Sequence, residues 1–297
     1  MAEAIGLFLR SADNAYQKQL KAVGLREANR HGFALLVHAV PFNSTQQVAQ
    51  IREAIKNAAE NKMVALLVSG VRDVDLSPVA HEAAETGLEW ALLNDASFID
   101  EVRKKYPDRA IFAATSDHSE IGRVQAQQIR AILGGEGRVL CVTGQLSNID
   151  ARLRLEGLKE GLDNGFQISE INADWTSEGA RRAVEAWAGS LTGNEDLPKA
   201  FVAQNDEMAL GVRQALRDIE SRCDWPIGGA PIVGCDGAED FGQRLVQEGR
   251  LKATVIMPPG SGAAIDWVAG VRKGGNLPPP RVLLPVASFP ALSRLKR

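Results

Sequence analysis

Short apolar runs alternate with amphipathic stretches along nearly the whole chain. Ile5–Leu9, Leu35–Ala39, Met63–Val68, Trp90–Leu93 and Ala110–Ala114 read as strands. Between them, Tyr16–Arg30 reads as a helix with Asn14 at its start and Gly32 beyond its end. Gln46–Asn61 carries Val48, Ile51, Ala54, Ile55 and Ala58 at helical spacing, and Pro78–Thr86 is a shorter helix closed by Gly87. Only a polar stretch, Asp100–Asp108, separates the fourth strand from the fifth.

The pattern then restarts. Helices are expected over Ile121–Leu133, Ile149–Leu162, Gly179–Leu191, Phe241–Gln247 and Ile265–Val271. Strands are expected over Val139–Val142, Ile168–Ala173, Phe201–Ala203, Ile232–Val233 and Ala253–Ile256, with Gly134–Gly137 as a turn. Leu277-Pro-Pro-Pro280 is a stiff extended linker, and Val282–Leu284 adds an edge strand. Repeated strand–helix alternation implies α/β architecture, parallel sheets covered on both faces and right-handed crossovers. Two rounds of similar size meeting near Ser116–Glu120 predict two similar doubly wound domains. One takes residues 1–116 plus 258–281, the other 117–257 plus 282–297. Several crossings between them make a hinge, and the space between is where a ligand is expected.

Polar residues just past strand ends are the candidates for holding that ligand, because open α/β sheets bind at the carboxyl ends of their strands. The stretch Gln204-Asn-Asp-Glu-Met-Ala-Leu-Gly211 follows a buried strand and opens a helix. Asp206 is the expected N-cap, which leaves Asn205 at the strand end with both a donor and an acceptor. Asp13-Asn14 and Tyr16 follow the first strand, Ser69 the third, Asn94-Asp95 the fourth and Ser116-Asp117 the fifth. Arg152, Trp175, Asn205 and Asp236 are their counterparts in the second half. Such a set suits a hydroxyl-rich molecule: flat aromatics cover C–H faces, carboxylates accept from hydroxyls, and a guanidinium donates in a fixed fork. Alternatives stay open at this level, with Arg152 as a surface helix charge, Trp175 as a core residue and Asp236 as a helix cap.

Composition narrows the function. The chain has 297 residues, enough for two domains of roughly 100–150 each. A net charge of −3 and no basic run give nothing that would attract nucleic acid. Phosphate loops and hydrolase nucleophile elbows are missing from the sequence, and Gly134-Gly-Glu-Gly137 precedes a strand, the wrong order for a dinucleotide loop. His31, His38, His81 and His118 share no metal spacing and are expected to be solvated; neither cofactor nor metal is expected. Cys141 reads as a core residue, while Cys223 and Cys235 fall at opposite ends of a layer, too far apart to bridge. An enzyme is not expected, although Asp236 as a base is a third, weaker reading.

The wording of several segments resembles the ribose-binding branch of the type I periplasmic binding proteins. The resemblance rests on Gln204–Gly211, Val233-Gly-Cys-Asp-Gly237, Ala151-Arg-Leu-Arg-Leu-Glu-Gly157 and the opening Asp13-Asn14-Ala-Tyr16. It implies that Asn205 and Asp236 bind sugar hydroxyls, that the first arginine of the third segment, Arg152, also binds sugar, and that Trp175 stacks on it. Asn14 and Tyr16 take the matching roles in the first domain. The departures are Gln17 in place of a second aromatic, Asn94-Asp95 in place of an Asp-Arg pair, Met257 in place of a hydrogen-bonding glutamine, and Arg10 in place of a small residue. They point away from ribose toward another sugar, a sugar derivative or a cyclitol; if Arg10 faces the ligand rather than solvent, a sugar acid. The resemblance further implies a monomer that hands its ligand to the membrane permease of an ABC transporter. Ala4–Leu9 already reads as a strand, so either the protein is cytosolic or Met1-Ala2 is a start placed after a removed signal; the resemblance favours the second and the periplasm. The alternative role is a sensory ligand domain of a receptor or of a lac-repressor-type regulator. The DNA-binding form is disfavoured because no helix-turn-helix precedes the first strand.

Overall fold

The structure, a computed structural model, describes residues 2–94, 97–162, 165–191, 193 and 197–295. The first part of the chain forms β1 (Ala4–Leu9), α1 (Ala15–His31), β2 (Ala34–Ala39), α2 (Ser44–Lys56), β3 (Met63–Val68), α3 (Ser77–Glu85), β4 (Glu89–Leu92), α4 (Ile99–Lys105) and β5 (Ile111–Ser116). The middle forms α5 (His118–Leu133), β6 (Gly137–Thr143), α6 (Ile149–Gly161), β7 (Phe166–Asn172), α7 (Ser177–Gly189), β8 (Ala200–Ala203), α8 (Asp206–Cys223) and β9 (Ile232–Val233). A single π-helical stretch, Glu239–Gln243, leads into α9 (Arg244–Gln247), then β10 (Thr254–Ile256), α10 (Gly260–Arg272), β11 (Arg281–Leu284) and β12 (Ala287–Phe289). Among the described residues no helix is long and apolar enough to cross a membrane.

Met1–Ser116 and Pro258–Leu284 make one unit. Its sheet runs in the order β11-β5-β4-β3-β1-β2, and every pairing is parallel. Phe8, Leu66, Trp90, Leu92 and Ile111 turn to one face, where they meet Ile51 of α2, Val79 of α3 and Ile99 and Val102 of α4. Met63, Leu66, Leu67 and Leu92, apolar residues of the third and fourth strands, are all buried. β1 is buried along its whole length, as a central strand with helices on both sides requires.

Asp117–Met257 and Pro285–Arg297 make the second unit. Its parallel sheet runs β7-β6-β8-β9, and β10 pairs antiparallel with β12. The two-residue side-chain period splits the strands cleanly. Leu140, Val142, Phe201 and Ala203 pack with Val184 of α7 and Met208, Val212 and Leu216 of α8. Val139, Cys141, Ala200 and Val202 pack on the other face with Ile129 of α5 and Leu158 of α6.

Four expectations need correction. The polar stretch after the fourth strand holds α4, whose inward side is only Ile99 and Val102, too small an apolar stripe to show in the periodicity. The second helix stops at Lys56, where Asn57 caps it, rather than at Asn61. The first unit extends through Leu284, beyond the expected 281, because Arg281–Leu284 pairs parallel with β5. β12 has no counterpart in the expected elements; a three-residue strand paired only with another three-residue strand carries no readable period.

Candidate functional site

In the first unit the candidate residues follow β1, β3 and β4, which are adjacent in the sheet. Asn14 caps α1, its Oδ1 accepting from Gln17 N at 3.1 Å, as expected for a residue at that place. Gln17 is buried and accepts from Arg10 N at 3.3 Å, so the residue that replaces an aromatic braces the backbone of Arg10. The Arg10 side chain is half-buried. Tyr16 is buried on the first turn of α1. Ser69 and Asn94 are both buried, and Asn94 Oδ1 accepts from Gly70 N at 2.7 Å, which ties the loops after β3 and β4 together. Gln47 locks the same loop, donating to Ser69 O and accepting from Val71 N, each at 2.9 Å. Ser69 Oγ is buried with no hydrogen-bond partner among the described residues, a donor and acceptor in reserve. Asp95 lies outside the described residues.

In the second unit Trp175, Asn205 and Asp236 follow β7, β8 and β9. Asn205, not Asp206, caps α8: its Oδ1 accepts from Met208 N at 2.8 Å. Its Nδ2 donates to Trp175 O at 3.0 Å and fixes the Trp175 backbone, which sits at φ +69°. A Cβ on Gly144 would fall 2.1 Å from the indole, so the ring lies directly on the Gly144 backbone and only glycine leaves it room. Trp175 is half-buried and touches the α7–α8 core. That is an anchored aromatic rather than a core residue or a free one.

The guanidinium beside this ring belongs to Arg154. Its Cζ is 5.7 Å from the Trp175 ring centroid, within cation–π range. Arg154 is 4% exposed and donates from all three nitrogens: Nη1 to Gln204 O, Nε to His118 Nδ1 at 3.2 Å and Nη2 to Met257 Sδ at 3.4 Å. An arginine N–H can only donate, so His118 Nδ1 is the acceptor. The ring proton therefore sits on Nε2, facing Asp150 Oδ1 at 3.2 Å. His118 is thus buried inside a polar network, contrary to the expectation of a solvated ring. Gln204 closes the network by donating to Ala151 O at 2.8 Å and accepting from Gly144 N at 2.9 Å.

This chain matches the periplasmic binding protein domain family over residues 5–273. The chain belongs to the periplasmic binding protein family. Among its relatives, the ribose import binding protein of Haemophilus influenzae is 24% identical over 257 residues, covering 86% of this chain and 80% of that one. The D-allose-binding periplasmic protein of Escherichia coli is 26% identical over 285 residues, 94% of this chain and 87% of its own. A solved ABC transporter periplasmic solute binding protein from Actinobacillus succinogenes, with bound D-allose, superposes with a TM-score of 0.83 at 17% identity over 99% of each chain. Its fold is therefore that of the type I, ribose-binding-like branch.

In this periplasmic binding protein Arg152 is exposed, and its Nη1 donates to Leu146 O at 2.8 Å. Arg152 thus bonds to the loop before α6, whereas Arg154 lies beside the Trp175 ring and donates to Gln204, the neighbour of Asn205. The signal was present in α6: Ala151, Arg154, Leu155 and Leu158 share the buried stripe at helical spacing, and Arg152 falls off it. Met257, which stands where a hydrogen-bonding glutamine was expected, accepts from Arg154 through its sulfur, and its backbone N–H donates to Asp236 O at 3.1 Å. Asp236 is 7% exposed and sits at φ +100°, a conformation that costs a non-glycine residue about 1–3 kcal/mol.

Asp206, freed from the cap, is buried against the Asp236 turn. Its Oδ2 accepts from Gly237 N at 2.8 Å and its Oδ1 from the Thr254 hydroxyl at 2.7 Å. A Cβ on Gly234 or Gly242 would fall within 2.2 Å of that carboxylate, so both glycines are there to admit it. Burial, reinforced by the charge of Asp236, pushes the Asp206 carboxyl well above its usual 3.8. Burial likewise raises the neighbouring Cys235 thiol to about 12, which makes it an unreactive core group. All three cysteines are free thiols. Among the described residues no cluster of His, Cys, Asp or Glu could hold a metal ion.

Proposed function

We propose that this protein is the solute-binding component of an ABC-type uptake system for a sugar, sugar derivative or cyclitol. The observation that carries this reading is the Trp175–Arg154–Asn205 cluster at the strand ends of the second unit. A partly exposed indole, seated on the Gly144 backbone, is flat enough to bind C–H groups; the Arg154 guanidinium lies over its ring and Asn205 holds its backbone. In this reading Trp175 stacks on the ligand, Asn205 and Asp236 bind its hydroxyls, and Arg154 takes the part first given to Arg152. Asn14, Tyr16, Ser69 and Asn94 are the proposed ligand residues of the first unit. Each hydrogen bond contributes on the order of 1 kcal/mol, and more where one partner is charged.

The chain passes between the units three times, after Ser116, Met257 and Leu284. Such a connection suits a hinge, and ligand shifts the population toward a closed form that a permease reads. The periplasm is the matching compartment, and the working unit is a monomer.

Arg10 refines the ligand class. Its guanidinium is half-buried with no side-chain partner among the described residues, and a sugar acid would supply its counter-charge. Calorimetry against D-ribose, D-allose, myo-inositol and the corresponding sugar acids tests both levels. Saturable binding of one of these with compaction in small-angle scattering supports uptake function; no binding by any of them refutes it. Equal affinity for an acid and its neutral sugar removes the role of Arg10 while leaving the rest.

A further inference from the structure

We propose that Asp206 is a positioning residue for Asp236, a clamp that holds the Cys235–Gly237 turn in the one backbone conformation that presents the Asp236 carboxylate. This rests on Asp236 being a ligand residue. Three observations independent of the ligand carry it. First, Asp206 takes the N–H of Gly237, the residue that immediately follows Asp236. Second, it takes the hydroxyl of Thr254 on β10, whose neighbour Ile256 bridges to Asp236 and whose successor Met257 donates to Asp236 O. The turn is therefore pinned from α8 on one side and from β10 on the other. Third, the turn does not rest there unaided: Asp236 lies at φ +100° and Gly237 at +61°.

Burial and the neighbouring Asp236 favour the neutral form of this carboxyl over the charged one. The carboxyl accepts from Gly237 N–H with one oxygen and from the Thr254 hydroxyl with the other. An asparagine keeps the Gly237 bond through its oxygen and turns the second bond round, its nitrogen donating to Thr254 Oγ1. The titratable and charged groups around it are Asp236, Glu207 on its own helix, the Cys235 thiol, and Arg154, which faces Cys235. Asp236 and Glu207 both oppose a negative charge on Asp206.

The experiment compares wild type, Asp206→Ala, Asp206→Asn and Asp236→Ala. The readouts are amide exchange at Gly237 without ligand and the dissociation constant for whichever of D-ribose, D-allose, myo-inositol and their acids binds wild type most tightly. Asp206→Ala is expected to lose Gly237 protection by about tenfold or more and to weaken binding by about tenfold. Asp206→Asn is expected to restore both to within about threefold, with binding that varies less with pH than in wild type. A folded Asp206→Ala with wild-type Gly237 protection or affinity overturns the clamp. So does Asp206→Asn as weak as Asp206→Ala, which would make the charge the active element. If Asp206→Ala does not fold, Thr254→Val, near-isosteric and one hydrogen bond short, replaces it; unchanged Gly237 exchange in that variant overturns the clamp equally. Wild-type affinity in Asp236→Ala would instead remove Asp236 from the ligand, and Gly237 exchange then still judges the clamp.

Discussion

The guanidinium of Arg154 lies 5.7 Å from the centre of the Trp175 ring, and in the proposed function this pair faces the ligand. Removing the ring takes away its stacking area and leaves Arg154 with one neighbour fewer. Trp175→Ala is expected to weaken binding by about 1–3 kcal/mol while thermal stability changes little, because the residue is only half-buried. Trp175→Phe should keep part of the affinity. Titration calorimetry checks both, and an unchanged dissociation constant would make Trp175 a packing residue.

Arg152 and Arg154 should behave differently although only one residue separates them. Arg154 is a buried cation that gives three of its five N–H donors to Gln204 O, His118 and Met257, so Arg154→Ala leaves those acceptors unpaired. A loss of about 2–4 kcal/mol in stability is expected, with binding abolished. Arg152→Ala removes an exposed bond to Leu146 O and should stay within about 0.5 kcal/mol. Denaturant unfolding of the two variants makes the comparison.

Gly144→Ala places a methyl group inside the volume of the indole. The Trp175 backbone is held by Asn205, so the side chain must swing away from its seat. Binding should weaken by about tenfold, a change of about 1.4 kcal/mol. Altered intrinsic tryptophan fluorescence would accompany it. Wild-type affinity with altered fluorescence would show that the seated orientation is not the binding one.

Asp206 gives a pH dependence of definite sign. Its folded pKa is raised above the usual 3.8, so the folded state holds its proton over a range where the unfolded state has released it. Stability therefore falls as pH rises from about 4 toward the folded value. Asp206→Asn removes that slope. Its melting temperature relative to wild type should rise with pH above 4, and the difference should flatten below the unfolded value. Parallel melting curves of the two proteins against pH would contradict this.

Much of the architecture was legible because the sheets are parallel and fully covered. Such strands must be apolar runs, and their helices must show one apolar stripe, so the two rounds of alternation stand out in the residues themselves. Asn14 and Asn205 were equally legible as strand-end residues, and Trp175 as the aromatic ahead of α7. What failed were elements with too little apolar surface to leave a period, α4 and β12, and the choice of cap between the neighbours Asn205 and Asp206. Arg152 was expected to hold a ligand on motif position. Helix phase makes Arg154 the proposed alternative, since it shares the buried face of α6 with Ala151, Leu155 and Leu158.

The sequence by itself determined the fold class, the order of the elements and the strand ends where polar residues gather, because each of these depends on interactions among residues close along the chain. Tertiary structure alone decided that Arg154 meets His118, Gln204 and Met257, and that Asp206 reaches Gly237 and Thr254. Those partners lie 31 to 103 residues away in the chain. A buried charge is tolerable only where distant backbone and side-chain groups converge on it, and that convergence has no local signature.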